Sequence, residues 1–218
     1  MKNNILLGCL LAASVLSTSC SDFLDEKPQG MLVPENYFST QDELNMSVYA
    51  LYSKVNASQI FTNMQYPQWQ GDDITTNPGS NKQAAAEMDK FAPTNSNKGV
   101  KDCWNRHYEI IKAANLIINN GDKTPTSEEE KNIAIGQARY WRAYAYFTLV
   151  RLYGPLPVNM DNENDDFTAE LTPVETIYQY ILDDLLAAEN LPSSYSNAPR
   201  FLNGVNVYVT QQAVKSTL

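Results

Sequence analysis

The amino-acid sequence predicts an all-α protein. Five segments place apolar residues three and four positions apart, the spacing of a helix with one buried face. Capping patterns precede most of these segments, and glycine or proline follows several of them. An alternation of apolar and polar residues typical of a strand occurs only over 204–209. With 43% hydrophobic residues in a chain of 218, there is enough apolar side chain for a folded core.

The first two predicted helices lie in the N-terminal half. The first begins at Thr40, because Thr40 and Glu43 have the spacing of a capping box. The second covers about 101–120, and Asn120 with Gly121 offers its C-terminal cap. The core positions predicted for these two helices are Leu44, Val48, Leu51, Tyr52, Val55, Trp104, His107, Tyr108, Ile111, Asn115 and Ile118.

The third predicted helix is the longest. It begins at Ser127, which forms a capping box with Glu130, and it ends at Tyr153 because Gly154 and Pro155 stop it. Its predicted buried stripe consists of Ile133, Tyr140, Trp141, Tyr144, Phe147 and Leu152.

The fourth predicted helix begins at Thr172, with Pro173 as its first helical residue and Glu175 completing a capping box. It ends before Pro192. Its predicted buried stripe consists of Ile177, Tyr178, Ile181, Leu182, Leu185 and Ala188.

A fifth helix is predicted to begin at Thr210 and to continue to Leu218. Because no helix-stop signal follows its start signal, the sequence favours a truncated product. Three stretches lack helical periodicity and are predicted to be long loops: 61–99, 155–171 and 192–206. Loops of such length in a compact protein usually carry function or are mobile.

The helices are expected to form antiparallel pairs, the second with the third and the fourth with the fifth. This arrangement resembles tetratricopeptide packing. The pairs start about seventy positions apart, at 101 and 173, instead of 34. The prediction is therefore an irregular tetratricopeptide-like scaffold of helix pairs with long loops.

The first nineteen residues are predicted to be a lipoprotein signal peptide. Lys2 supplies a positive charge, an apolar run covers 5–16, and small residues lead into Cys20. Cleavage before Cys20 and acylation of its thiol would leave residues 20–218 as the mature protein. An ordinary secretory signal beside an incidental cysteine is the alternative.

Charge and cysteine content exclude several classes of protein. The formal net charge of −9 makes the chain a poor nucleic-acid binder, since phosphate neutralisation dominates that affinity. Cys9 would leave with the signal and Cys20 would carry lipid, so Cys103 has no disulfide partner.

No later segment reaches the ~18 apolar residues of a spanning helix. The mature protein is expected to be anchored by lipid alone.

Five segments carry a resemblance to a known family: CSDFLDEKP at 20–28, NYFST at 36–40, ARYWRAYAYFTLVRLYGPLPV at 138–158, IYQYILDDLLAAENLP at 177–192 and VTQQAVKSTL at 209–218. They resemble the SusD/RagB family of Bacteroidetes outer-membrane nutrient-binding lipoproteins. The resemblance covers the mature chain in order. Because members of the family are more than twice as long, this chain corresponds to their N-terminal part.

The resemblance implies a lipid-anchored protein on the outside of the outer membrane that acts as a lid on a SusC-like TonB-dependent porin. Such a protein binds an oligosaccharide, or in some members a peptide, and hands it to the transporter. It is not an enzyme, and no cofactor is expected. Two alternatives remain: a tetratricopeptide-type envelope adaptor that binds only proteins, and a glycoside hydrolase.

The loop at 66–82 has the composition of a sugar site. A sugar offers an apolar C–H face and hydroxyl edges, so a binder needs an exposed aromatic plane flanked by amide, carboxylate or cationic groups. The candidate ligand-binding residues are Trp69, Asp72, Asp73, Asn77 and Lys82. Alternatively, Trp69 anchors the loop on the scaffold.

Other candidate chemistry is weaker. A single histidine, His107, assembles neither a triad nor a zinc site and is predicted to be structural. The acidic pairs at 72–73 and 165–166 are predicted to be solvated, and the acidic run at 161–165 lacks the glycine and the twelfth-position carboxylate of a calcium loop. No catalytic or metal-binding residue is predicted. Arg139, Arg142 and Arg151 are predicted to cover apolar surface or to pair with acids.

Overall fold

The computed structural model describes residues 37–59, 75–76, 83–160, 170–195, 201–202 and 205–218. Helices dominate these residues, which confirms the all-α prediction. The helices are α1 (Gln41–Ser58), α2 (Gln83–Asp89), α3 (Lys98–Asn120), α4 (Glu128–Tyr153), α5 (Val174–Ala188) and α6 (Gln211–Thr217). The strands form two short antiparallel pairs, β1 (Leu156–Pro157) with β2 (Leu171–Thr172) and β3 (Phe201–Leu202) with β4 (Val205–Asn206).

Helix α1 begins where the capping pattern predicts. The Thr40 hydroxyl oxygen accepts the Glu43 backbone N–H at 3.2 Å, and the Glu43 carboxylate accepts the Ser39 backbone N–H at 2.9 Å. These bonds satisfy donors that the first turn leaves without helical partners. The predicted core face is confirmed, since Leu44, Val48, Leu51 and Val55 are buried.

Helix α3 begins three residues earlier than predicted. Asn97 caps it, because its side-chain oxygen accepts the backbone N–H groups of Gly99 and Val100 at 3.0 and 3.2 Å. The predicted end at Gly121 is confirmed, but Gly121 keeps a right-handed φ of −56° and opens a 3-10 turn. Its lack of a side chain serves packing, since a Cβ there would lie 2.9 Å from Cγ1 of Ile135.

Helix α4 has the predicted ends but a different buried face. The Ser127 side chain accepts the Glu130 N–H, and Gly154 follows the helix with a φ of 75°, which favours glycine. The predicted stripe is confirmed in part: Ile133 is buried, and Tyr140, Trp141 and Phe147 are partly buried and pack against the core, but Leu152 is 40% exposed. The buried residues of α4 are Ile133, Ala134, Gly136, Gln137, Ala138, Arg142, Ala143, Ala145, Tyr146, Leu149 and Val150.

The capping predicted for the N-terminus of α5 is wrong. Thr172 belongs to β2, Pro173 is the residue before the helix, and no side chain caps it. Pairing with Leu156 in β1 draws Thr172 away from the helix. The buried face is confirmed at Ile177, Ile181, Leu185 and Ala188, but Tyr178 and Leu182 are exposed.

Two further predictions concern the loops and the last helix. The stretch at 61–99 contains a helix, α2, which its seven residues are too few to reveal by periodicity. Helix α6 begins after the predicted cap Thr210, whose side chain accepts the Ala213 N–H. Val214 is fully buried, whereas Leu218 is 47% exposed.

Helix α4 lies at the centre of the fold. It packs against α3 and α5, α1 packs against α3 and α4, and α6 contacts α5. The largest fully buried apolar side chains are Tyr146, Leu44, Leu51, Ile110, Ile111, Ile117, Leu149, Leu156, Ile177, Val48 and Val214. Helix pairs therefore share one continuous core, as a tetratricopeptide-like scaffold requires.

Two buried polar groups of α4 connect distant parts of the chain. The Gln137 side-chain amide donates to the Val209 carbonyl at 2.8 Å and accepts the Val209 N–H at 2.9 Å. Arg142, only 3% exposed, donates to both carboxylate oxygens of Asp184 on α5 at 2.7 and 2.8 Å, and to the Asn115 side chain on α3 at 2.7 Å. Burial without such partners would be costly. Gln137 thus connects α4 to the segment before α6, and Arg142 connects α4 to α3 and α5.

Candidate ligand-binding site

The residues predicted to bind ligand lie outside the described part of the chain. These residues are Trp69, Asp72, Asp73, Asn77 and Lys82, and the predicted lipidation site Cys20 lies outside it as well. Their roles stay predictions. Two described residues, Thr75 and Thr76, stand between Asp73 and Asn77 in the sequence.

Thr75 and Thr76 are attached to the last residue of α2. Three donors reach one oxygen, Oδ2 of Asp89: the Thr75 hydroxyl at 3.1 Å, the Thr76 N–H at 3.1 Å and the Thr76 hydroxyl at 3.0 Å. The bond from the Thr76 N–H is the main reason that the pKa of Asp89 lies below its ordinary value. The carboxylate is thus held in its charged form.

Helix α2 is attached in turn to the start of α3. One oxygen of Glu87 accepts the Thr94 N–H at 3.0 Å, the Thr94 hydroxyl at 2.9 Å and the Asn97 side-chain N–H at 2.8 Å. These bonds, the Thr94 backbone donor first, lower the pKa of Glu87 to about 2. Asn97 also donates to the Ala84 carbonyl at 3.1 Å while it caps α3. A helix of seven residues is not stable alone in water, so these bonds hold α2 in place.

A cavity of about 360 Å³ lies between α2 and the segment that leads into α3. Its lining residues are Gln83, Ala84, Glu87, Thr94, Ser96, Asn97 and Lys98. Gln83 directly follows Lys82 in the sequence, so the cavity adjoins a predicted ligand residue along the chain. Amide, hydroxyl, carboxylate and ammonium groups of this kind suit the hydroxyl edges of a sugar.

An exposed aromatic ring belongs to the segment that connects α2 to α3. Phe91 is 66% exposed and has a φ of 54°, the left-handed region that favours glycine. Its N–H donates to the Met88 carbonyl and the next N–H, of Ala92, donates to the Glu87 carbonyl, both at 2.9 Å. Such bonds end a helix with a left-handed residue, a position usually occupied by glycine.

His107 is a packed structural residue, as the sequence predicts. It is 2% exposed, and its Nδ1 lies 2.7 Å from the Cys103 carbonyl oxygen. Burial lowers the pKa of His107, so the imidazole is neutral near pH 7. Burial likewise raises the pKa of the Cys103 thiol, which keeps it protonated and unreactive.

The arginines of α4 behave as predicted. Arg139 and Arg142 both donate to Asp184, and the Arg151 guanidinium lies 4.9 Å from the centre of the Phe147 ring. In the part of the chain that the structure describes, no three acidic, histidine or cysteine residues lie close enough to hold a metal ion. The acidic run at 161–165 is outside that part.

Sequence reasoning missed the residues that arrange this region. Glu87, Asp89 and Asn97 occupy a stretch read as loop, and a pair of acids two positions apart carries no signal of its own. Asn97 could have been found, since asparagine before a helical segment is a common cap. The partners of Glu87 and Asp89 depend on tertiary structure.

No helix in the described ranges is long and apolar enough to cross a bilayer.

Comparison with known proteins gives one consistent relationship. A family profile of SusD-like proteins, described as "Starch-binding associating with outer membrane", matches residues 22–218. A SusD-like protein of Bacteroides ovatus is 28% identical over 209 residues, covering 88% of this chain and 35% of that protein. SusD-like protein P2 of Formosa agariphila is 30% identical over 183 residues, covering 80% of this chain and 36% of that protein. The chain thus spans about a third of the length of these relatives.

Solved structures share the fold. A laminarin-binding SusD-like protein has a TM-score of 0.72 at 17% identity, over 82% of this chain and 39% of that one. A crystal structure with xylogluco-oligosaccharide has a TM-score of 0.64 at 24% identity, over 80% of this chain and 33% of that one. A SusD-like protein of Bacteroides fragilis has a TM-score of 0.67 at 20% identity, over 83% and 34%. With the profile match across nearly the whole sequence, these findings establish that the chain belongs to the SusD-like family.

Proposed function

We propose that this protein binds an oligosaccharide outside the cell and delivers it, without catalysing any reaction, to a SusC-like TonB-dependent transporter. The observation that carries the proposal is the family match over residues 22–218. The cavity beside α2 supports the same class of ligand, because amide, hydroxyl, carboxylate and ammonium groups line it.

The proposed ligand residues are Trp69, Asp72, Asp73, Asn77 and Lys82. In this proposal Trp69 stacks on the apolar face of a sugar ring, and the acids, the amide and the ammonium bind hydroxyl groups. Two observations support the loop at 66–82 as a ligand-binding site. Asp89 accepts hydrogen bonds from Thr76, which directly precedes Asn77 in the sequence. Gln83, which lines the cavity, directly follows Lys82.

Two neighbouring structures suggest the ligands to try first. One is named for laminarin binding and the other contains xylogluco-oligosaccharide. We therefore propose soluble laminari-, xyloglucan and malto-oligosaccharides as probes, the last because the family description names starch. Calorimetry on the purified protein should give saturable binding of at least one probe. If none of the three binds, the oligosaccharide-binding proposal is wrong for this chain.

A pair of tryptophan variants tests the site itself. Trp69→Ala should weaken binding and leave the free energy of unfolding nearly unchanged. Trp141→Ala is the matched control, because Trp141 packs against Tyr52, Tyr140 and Tyr144, and its loss should cost about 3–5 kcal/mol of stability. The reverse result, with Trp69→Ala destabilising the fold and sparing affinity, would make Trp69 a structural anchor.

We also propose that Cys20 carries the lipid that anchors the protein to the outer membrane, facing outwards. Acyl chains contribute about 0.8 kcal/mol per buried methylene group, so several chains bind firmly. Cys20→Ser should remove the protein from the outer-membrane fraction. Retention of the variant there after a high-salt wash would contradict lipid anchoring, and failure to co-purify a porin with the wild-type protein would contradict the transporter partner.

A further inference from the structure

Phe91 occupies a position whose backbone suits glycine and whose side chain is in solvent. Its φ is 54°, where a Cβ atom meets a steric cost that glycine avoids, and its ring is 66% exposed. Neither the backbone nor packing in the core therefore accounts for a phenylalanine here. Residues held in sparsely populated backbone conformations are concentrated at functional sites, which makes this ring a candidate contact.

Phe91 lies on a short loop that is closed at the cavity beside α2. The two ends of the loop, Glu87 and Thr94, both line the cavity, and the Glu87 carboxylate accepts the Thr94 N–H at 3.0 Å. Within the loop, the Ala92 N–H donates to the Glu87 carbonyl at 2.9 Å. Three residues span at most about 11 Å, so the backbone of Phe91 lies within that distance of Thr94 and of the cavity wall.

Part of the cavity lining is committed to holding its shape. The Glu87 carboxylate accepts the Thr94 hydroxyl at 2.9 Å, the Asn97 side-chain N–H at 2.8 Å and the Gln83 side-chain N–H at 2.8 Å. Asn97 is 4% exposed and also caps α3. These bonds fix the wall of the cavity before any ligand arrives, which lowers the entropy cost of binding.

The exposed part of the lining keeps hydrogen-bonding capacity for a ligand. Gln83 donates through its amide N–H, and its side-chain carbonyl oxygen is an acceptor. Lys98 has three ammonium donors, of which one is engaged by Asp102, and its side chain is 80% exposed. The hydroxyl of Ser96 is exposed as well and can both donate and accept. Donors and acceptors therefore stand together at the edge of the cavity.

The surroundings of Phe91 favour a sugar over a protein surface as the occupant. Residues 92–96 are all exposed, and three of the five are the polar residues Thr94, Asn95 and Ser96. Surfaces that bind proteins typically present a contiguous apolar patch, which this described segment does not form. A single aromatic plane beside hydroxyl-binding groups matches the C–H face and the hydroxyl edges of a sugar chain.

We propose that Phe91 and the cavity beside α2 form one subsite for oligosaccharide, in which the Phe91 ring stacks on a sugar unit while Gln83, Ser96 and Lys98 bind hydroxyl groups. The inference rests on the proposed function and adds contacts outside the loop at 66–82. It has a distinctive consequence. Phe91→Gly should make the protein more stable and yet weaken binding, because it relieves the backbone and removes the ring.

Three variants of Phe91 separate the ring from the backbone. Phe91→Gly removes both the ring and the steric cost, Phe91→Ala removes the ring but keeps a Cβ atom, and Phe91→Trp keeps an aromatic plane. Tyr178→Ala is the matched control, because Tyr178 is an aromatic residue on α5 that is 38% exposed. The double variant Gln83→Ala with Lys98→Ala tests the edge of the cavity. Calorimetry with the laminari-, xyloglucan and malto-oligosaccharides measures affinity, and urea titration measures the unfolding midpoint.

Phe91→Gly and Phe91→Ala should bind the probe about five- to tenfold more weakly than the wild type, and Phe91→Gly should have the higher urea midpoint. Phe91→Trp should bind within about twofold of the wild type, and Tyr178→Ala should match it. The cavity double variant should bind about fivefold more weakly.

Three results would overturn the subsite. If the wild type binds a probe and Phe91→Gly binds it equally well, the ring is no ligand contact, although the proposed function stands. Unchanged affinity in the cavity double variant would separate the cavity from the ligand. Phe91 variants that bind sugar normally but no longer co-purify a porin would assign the ring to a protein contact. If the wild type binds no probe, the proposed function itself fails, and the subsite fails with it.

Discussion

Asp184→Ala tests whether the buried ion pair holds the three central helices together. Asp184 is 2% exposed on α5 and accepts two bonds from Arg142 and one from Arg139 on α4. Arg142 has further bonds to the Asn115 side chain on α3 and to the Met160 carbonyl. Removing the carboxylate leaves the Arg142 guanidinium buried with two neutral acceptors and without the carboxylate that it binds on α5.

The expected loss of stability follows from these contacts. Three charge-assisted bonds at about 1.5–3 kcal/mol each would sum to more than any single substitution usually costs. The Arg139 side chain is 33% exposed, however, so water replaces its bond and its share is small. The unpaired charge of Arg142 accounts for most of the lost stability, because removing one partner of a buried ion pair costs about 3–5 kcal/mol. For a domain of this size that lowers the melting temperature by roughly 6–20 °C.

Urea unfolding followed by circular dichroism at 222 nm measures the change. Asp183→Ala removes the neighbouring exposed aspartate and should change the unfolding free energy by less than about 0.5 kcal/mol. Replacing both partners, Arg142→Met with Asp184→Leu, should recover most of the loss because no buried charge then remains. A loss below about 1 kcal/mol for Asp184→Ala, or a double variant as unstable as the single one, would refute the reasoning.

Three further predictions concern the backbone and pH. Phe91→Gly should raise the free energy of unfolding by about 1 kcal/mol in urea titrations, because a left-handed φ of 54° strains phenylalanine and not glycine. Gly154→Ala should lower it by about 1–3 kcal/mol, since φ is 75° and ψ is −135° there. Glu87 has a pKa lowered from 4.5 to about 2, so its contribution is complete above pH 4.5 and is lost as the pH falls towards 2. Melting temperatures between pH 2 and 6 should show this loss in the wild type and a flatter profile in Glu87→Gln.

Capping residues in the sequence correctly predicted where several helices begin. Thr40, Ser127 and Thr210 cap α1, α4 and α6 as expected, because a side-chain oxygen and an N–H three residues later are close whatever the rest of the fold does. The start of α5 was predicted wrongly for the opposite reason. Thr172 pairs with a strand residue sixteen positions away, and a local pattern does not contain that partner.

The region beside α2 was the least predictable part of the candidate site. Helix α2 is too short to show periodicity, and its stability comes from Glu87 and Asn97, whose contact spans ten residues. Asp89 likewise reaches back thirteen residues to Thr76. The composition of the loop at 66–82 could suggest a sugar site, but the attachment of its described residues to α3 required the tertiary structure.

The sequence by itself determined that the chain is all-α, where most helices end, and that the histidine is structural. These features follow from residue spacing, caps and helix breakers, which act over a few positions. The tertiary structure decided which face of α4 is buried. Helix α4 packs against both α3 and α5 and buries its alanines, while Trp141, Tyr144 and Phe147 are only partly buried. It also decided that Arg142 is buried, since only the packing of α5 brings Asp184 to meet its charge.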